Sequence, residues 1–293
     1  MTTLPTTGPA TRPRRAAAAL PMTPGRWITL MIGVPIALAL IAFTGFSFVS
    51  GLGQAHYPVN AAIPLLNGKL VASLGGSDVT LRQDPGRGST ARLTGTVQYS
   101  LVRPSFSVTG TDVNLDCRIL TGNCGLSATL HVPADTAVDL SSGGGNVQAS
   151  GIQRDVTLNS AGGDVTISGP GGNADLSTGG GNVTASDLGG ILTSDTAGGD
   201  VNGTALSSSH ITLETGGGNV TLVFTRPPAY LDIASAGGDI AVLLPHSKST
   251  QYAITATTAG GDYSGPVPTN AAATAHTIKI DSGGGNVSVT EAS

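Results

Sequence analysis

Residues 174–201 read ADLSTGGGNVTASDLGGILTSDTAGGDV, and this stretch decides the fold. An alternating run, Ala174-Asp-Leu176, leads into a Gly-Gly-Gly-Asn phrase, and a second run, Val183-Thr-Ala185, follows it. The plan restarts at Leu192 and reaches Gly-Gly-Asp200. Working outward, the polar residue of the phrase recurs at Asn146, Asp164, Asn182, Asp200, Asn219, Asp239, Asp262 and Asn286, at intervals of 18, 18, 18, 19, 20, 23 and 24 residues. Self-similarity at such a period marks a stacked repeat architecture.

Each unit supplies two short strands. The first runs carry Val138/Leu140, Val156/Leu158, Ala174/Leu176, Ile211/Leu213, Leu231/Ile233 and Ile278/Ile280; the second carry Val147/Ala149, Val165/Ile167, Val183/Ala185, Val220/Leu222, Ile240/Val242 and Val287/Val289. Thr, Ser, Asp and Gln stand between them, and period-two alternation gathers the apolar set on one face of each strand. Two such faces turned inward make a flattened coil, and stacking coils at ~4.8 Å pairs the strands in parallel. The fold expected is therefore all-β, a parallel, β-helix-like solenoid of ~18-residue repeats, preceded by one transmembrane α-helix.

The glycines suit a sharp arc with φ > 0, so Gly180 or Gly217 replaced by Val is expected to strain it. Asn and Asp tolerate the left-handed region and bond nearby backbone. Asn and Asp alternate over six consecutive copies, which has three readings. Stacked carboxylates repel and an intervening Asn doubles their spacing; or one turn of 36 residues holds both in separate columns; or a 36-residue ancestor was duplicated.

From Trp27 to Val49 the chain has 23 uncharged residues, WITLMIGVPIALALIAFTGFSFV. A helix rising ~1.5 Å per residue covers ~34 Å, enough to cross a ~30 Å hydrocarbon core. Arg12, Arg14, Arg15 and Arg26 precede this segment and the first charge after it is Lys69. The N-terminus is thus expected in the cytoplasm and the repeats outside, with a signal-anchor preferred to a cleaved signal because the apolar run is longer than ~7–15 residues. The organisation expected is a cytoplasmic tail at 1–26, the transmembrane helix at 27–49, a linker at 50–59, an irregular β-rich cap at 60–137 and the repeats at 138–293. Within the cap, Leu70–Arg82 reads as a degenerate copy of the unit; a separate small β-sandwich is the alternative. Cys117 and Cys124 flank a Thr-Gly-Asn turn signal, and an oxidising compartment permits a disulfide between them.

Chemistry is sparse in this sequence. All 18 acids lie beyond the apolar segment against 10 of the 14 basic residues, so the outer portion is near −8, and no basic stripe suggests nucleic acid. No metalloprotease, nucleophile-elbow or phosphate-loop spacing occurs. His56, His131, His210, His246 and His276 are scattered. A polysaccharide-acting β-helix enzyme would need clustered carboxylates and bases in a groove, and only Arg154, Arg226, Lys248 and Lys279 are basic within 138–293. No catalytic residue, cofactor or metal ligand is assigned; Asp164, Asp200, Asp239 and Asp262 read as solvated turn carboxylates in preference to calcium ligands.

The SxGGGNV…SAGGDV ladder, preceded by a β-rich region ending in Leu130-His-Val-Pro-Ala-Asp-Thr136, resembles a large bacterial family of adhesin-like GGGN/GGD β-strand-repeat proteins of unknown function, often with one N-terminal span. The likeness covers about residues 60–293. It implies a right-handed β-helix-like fold and a cell-envelope setting, and offers no catalytic residue to carry over. The function expected is adhesin-like binding or scaffolding of an envelope or surface ligand. The alternative is an envelope-stress sensor or accessory subunit working with a membrane-protein partner.

Overall fold

The computed structural model describes residues 54–100, 103–110, 112–116, 124–265, 267, 269–270, 272 and 275–292. The expected tail 1–26, the apolar segment 27–49 and residues 50–53 lie outside the described residues. The proposed Cys117–Cys124 bridge lies outside them too, since Cys117 is not described. The described residues belong to one unit starting at Gly53, and every regular element among them is a strand.

Two long sheets face each other across a narrow apolar core. Each level of the stack contributes one strand to each sheet. Taken in spatial order, level one is β2 (Lys69–Leu74) with β3 (Asp78–Gln83). Level two is β8 (Ala137–Ser142) with β9 (Val147–Ser150), and level three β10 (Val156–Ser160) with β11 (Val165–Ser168). Level four is β12 (Ala174–Thr178) with β13 (Val183–Ser186), and level five β14 (Leu192–Thr196) with β15 (Val201–Leu206). Level six is β16 (His210–Thr215) with β17 (Val220–Phe224), and level seven β18 (Tyr230–Ser235) with β19 (Ile240–Leu244). Neighbouring levels pair in parallel with the repeat register: Val156 lies between Val138 and Ala174, and Val165 between Val147 and Val183. One coil therefore holds 18 residues, and the 36-residue turn is excluded.

Both ends break chain order. After β19 the chain passes outward to β20 (Ala253–Thr258) and β21 (Tyr263–Ser264), the ninth level. It then returns to fill the eighth with β22 (Thr277–Ser282) and β23 (Val287–Glu291). The sheet orders are accordingly β18-β22-β20 and β19-β23-β21. At the other end β6 (Asp112–Asp116) and β7 (Cys124–Val132) lie outside level one although they follow it in sequence. An antiparallel meander of β7, β4 (Thr90–Ser100) and β1 (Gln54–Pro64) extends the first sheet, and β5 (Ser105–Thr109) ends the second.

Two expected boundaries shift. The linker to residue 59 is partly strand, since Gln54–Val59 opens β1, whose edge position lets Pro58 go without a ladder bond. Lys69–Gln83, expected inside the cap, is a regular level of the solenoid because its Leu70, Ala72, Leu74, Val79 and Leu81 are buried in register with the repeats.

The inward residues explain the close stack. All the paired apolar residues of the repeats are buried. The glycine phrase, however, works by close approach and not by handedness at the positions expected. Gly180 and Gly217 have no positive φ, and a Cβ on either would meet nothing within 4 Å. The demanding glycine is the next one: a Cβ on Gly181 would strike the carbonyl of Gly163 one level below, and one on Gly218 that of Gly199. Positive φ forms a column at the opposite corner, at Gly151 (68°), Gly169 (59°), Asp187 (53°) and Ala205 (53°), and within the phrase it occurs at the ends of the stack, at Gly76 (62°), Gly238 (87°) and Gly285 (87°).

A buried hydroxyl column closes the arcs of levels two to six, whereas Ser235 and Ser282 donate to carbonyls of their own arcs. Thr178 Oγ1 donates to Gly163 O at 2.8 Å and accepts from the Gly181 N–H at 3.1 Å. Ser160 repeats this against Gly145 and Gly163, and Thr196 against Gly181 and Gly199. The arc's backbone groups, which water cannot reach, are thereby satisfied.

Candidate functional site

The Asn and Asp residues of the glycine phrase form one continuous ladder. The Asp164 N–H donates to Asn146 Oδ1 (2.8 Å), Asn182 to Asp164 (2.7 Å), Asp200 to Asn182 (2.9 Å), Asn219 to Asp200 (2.8 Å) and Asp239 to Asn219 (2.9 Å). At the reordered end Asn286 donates to Asp239 (2.7 Å) and Asp262 to Asn286 (3.1 Å). At the other end Asn146 donates to Asp78 (2.8 Å). In chain order the alternation fails at Asp239 and Asp262; in space it runs unbroken from Asp78 to Asp262. Repulsion between neighbours favours this, whereas duplication of a 36-residue ancestor gives alternation only in chain order. Two unit charges ~4.8 Å apart repel by roughly 1–3 kcal/mol at effective dielectric constants of 80 to 20, and an intervening Asn halves that. Asn219 Nδ2 adds a direct bond to Asp200 Oδ1 at 3.3 Å.

The ladder ties each arc to the next. Each Oδ1 is engaged by the next backbone N–H, and carboxylates two levels apart cannot share a calcium ion whose ligands sit at ~2.3–2.6 Å. Among the described residues no cluster of three or more His, Cys, Asp or Glu is arranged to hold a metal. The histidines stay apart: His131 meets Asp84 (3.1 Å), His210 meets Ser209 (3.0 Å), His246 meets Glu291 (3.4 Å) and His276 meets Pro228 O (2.7 Å).

The outer faces differ in charge. Outward on the sheet of β9–β19, Gln148, Thr166, Thr184, Asn202 and Thr221 form an uncharged column. The opposite sheet carries the acids, and its middle column again spaces them: Asp139, Thr157, Asp175, Thr193. Lys69 bonds Asp139 at 2.9 Å, and Lys279 bonds Asp281 at 2.8 Å and Asp232 at 3.4 Å. Those carboxylates push the Lys279 ammonium's pKa up, Asp281 first, and Lys279 in turn holds Asp281 below the usual carboxylate range. Tyr230 donates to Asp232 Oδ2 at 2.9 Å, and that bond raises the phenol's pKa.

Among the described residues one pair of adjacent levels breaks the spacing rule. Asp195 and Glu214 are direct cross-strand partners, so two carboxylates stack on adjacent strands. Among the described residues neither belongs to a salt bridge. Both line a groove of about 620 Å³ that crosses levels five to nine over Ala197, Ala234 and Ala236, with Asp281 on its far wall. Like charges directly opposite one another destabilise a sheet, and while Asp281 is paired with Lys279, the Asp195–Glu214 pair sets an unpaired negative charge over the groove's apolar floor. Such a place suits a cationic group with an apolar body. Sequence reading missed it because Asp195 and Glu214 are 19 residues apart and occupy a column where other units carry Ser141, Asn159, Ser177 and Ala234, with a further acid at Asp281 of level eight. Alignment of the outward positions, not of the glycines, would have found the pair.

A family model described as Toastrack DUF4097 matches residues 106–290. No curated protein matches the chain. Three crystal structures are similar at low identity. A putative cell adhesion protein from Clostridium sporogenes is 12% identical over 80% of this chain and 100% of its own, with a TM-score of 0.25. A putative adhesin from Parabacteroides distasonis is 13% identical over 83% and 99%, with a TM-score of 0.36. Another from Parabacteroides merdae is 10% identical over 80% and 96%, with a TM-score of 0.31.

Proposed function

This chain belongs to the Toastrack DUF4097 family, and from that premise we propose that it is a membrane-anchored, adhesin-like binding and scaffold protein of the bacterial cell envelope, and not an enzyme. Residues 27–49 anchor it, and the arginines before them keep the N-terminus in the cytoplasm. The solenoid then stands outside as a rigid ruler whose acidic sheet face meets the ligand.

The observation that carries this reading is the Asp195–Glu214 pair in the groove. Every other conspicuous acidic column spaces its charges by an uncharged residue, and a local rule broken without structural gain marks a functional position. The ligand is a cationic envelope component, of which a glucosamine oligomer with free amines is a usable probe. The test uses wall-permeabilised cells carrying the chain with a C-terminal tag. The tag should be labelled from outside, and the cells should be retained on the immobilised oligomer but not on its N-acetylated form. Asp195→Asn with Glu214→Gln should cut retention at least tenfold while labelling is unchanged. Unchanged retention would sink the groove, and labelling only after lysis would sink the topology.

A further inference from the structure

The eighth level lies between level seven and level nine, whose β20 and β21 have β22 and β23 as their sole sheet neighbours, and this slot is filled by the last strands of the chain. β22 is registered along six residues on both sides, with Thr277 lying between Tyr230 and Ala253. β23 is registered along five residues with β19 and along two with β21. Ile278, Ile280, Val287 and Val289 are fully buried within it. Gly283 and Gly285 face the carbonyls of Ala236 and Gly238 where a Cβ would collide. Asn286 joins Asp239 to Asp262 in the ladder. The slot thus specifies two backbone edges, four apolar side chains, the glycines and a neutral ladder residue.

Its outer wall is held loosely. The outermost pairing in the first sheet covers only Tyr263 and Ser264, and the side chains of β20 are half-buried or exposed. Among the described residues the Tyr252 hydroxyl and Glu291 Oε1, buried at this end, have no hydrogen-bond partner, which weakens the closed state. The connection over 265–276 is twelve residues, against five at 151–155 within the regular coils. Fully extended, it reaches roughly 40 Å, so segment 277–291 stays tethered after leaving its slot.

We propose that the eighth level is a strand-acceptor site, filled by the chain's own segment 277–291 and equally able to take the same segment of a second copy. The occupant is a second copy because the slot's requirements are those of this chain's own repeat, and strand exchange makes no contact that the closed molecule lacks. Copies joined this way share C-terminal coils and associate through the far end of the stack.

The test uses the full chain in detergent and two synthetic peptides, residues 275–293 and the same peptide with Ile280→Asp. Two differently tagged copies are mixed, warmed below their melting temperature, cooled and captured on one tag. The second copy should be co-captured, and excess native peptide should reduce co-capture at least tenfold while the Ile280→Asp peptide leaves it unchanged. A fluorescent native peptide should also enter the untreated chain on warming. Absence of co-capture, co-capture indifferent to the native peptide, or equal competition by both peptides would each overturn the proposal.

Discussion

Levels two to seven and the two ends of the stack are made from the same kinds of residue, yet they are assembled differently. In the middle, each strand pair follows its predecessor after a short arc, so neighbours in space are neighbours in the chain. At both ends the chain overshoots by one level and the neighbouring position is filled by another part of the sequence: β2–β3 sits between β6–β7 and β8–β9, and β22–β23 between β18–β19 and β20–β21. A simple solenoid ends on a coil with one free side, where pairing frays or recruits another chain. Here the first and last regular strand pairs are enclosed on both sides. Local repeat chemistry builds the middle, and long-range closure moves the free edges outward from the regular coils to β1, β5, β20 and β21.

The largest effect should separate the two glycines of one arc in the middle. Gly181→Val must force level four away from the Gly163 carbonyl and should cost about 3 kcal/mol or more. Gly180→Val enters open space and should cost less than about 1 kcal/mol. Urea melts of the two variants measure the difference, and equal losses would mean that the arc is limited by handedness and not by contact.

A smaller effect tests the order of levels at the end. Asn286→Asp would insert a third carboxylate between those of Asp239 and Asp262, leaving no neutral spacer there. With two new neighbours ~4.8 Å away it should cost about 2 kcal/mol at low salt, fading as the Debye length shrinks to ~3 Å near 1 M. Asp262→Asn should be neutral within about 0.5 kcal/mol, because its ladder neighbour is Asn286. Were the levels stacked in chain order, Asp262 would adjoin Asp239 and this change would stabilise the protein. Melting both variants across a salt series decides between the two orders.

The smallest effect concerns the loose end alone. Burial, and then the charge of Glu291, push the Tyr252 phenol up to about 12 from 10. A raised folded pKa means that its contribution is complete below pH 10 and is lost as pH climbs from about 10 to about 12. Tyr252→Phe should flatten that alkaline decline in stability by an amount on the order of 1 kcal/mol, while leaving the neutral-pH melt within about 1 kcal/mol of wild type. A decline of the same depth in the variant would place the titrating group elsewhere.

The sequence by itself determined the repeat, its length, the parallel stack and the inward residues. Each follows from periodicity: Val183 and Ala185 must share a face, and a phrase returning every 18 residues must return to the same corner. It also showed that Asn and Asp alternate, but left three causes standing. Tertiary structure alone chose among them, because only the spatial order Asp239, Asn286, Asp262 shows the alternation kept where the chain breaks it. It likewise moved the demanding glycine from Gly180 to Gly181 and the left-handed column to Gly151, Gly169, Asp187 and Ala205. The Asp195–Glu214 contact and the filling of the eighth level were invisible for the same reason. Periodicity fixes which way a residue points within its own coil, whereas its neighbour above or below is set by how the chain's distant parts close on one another.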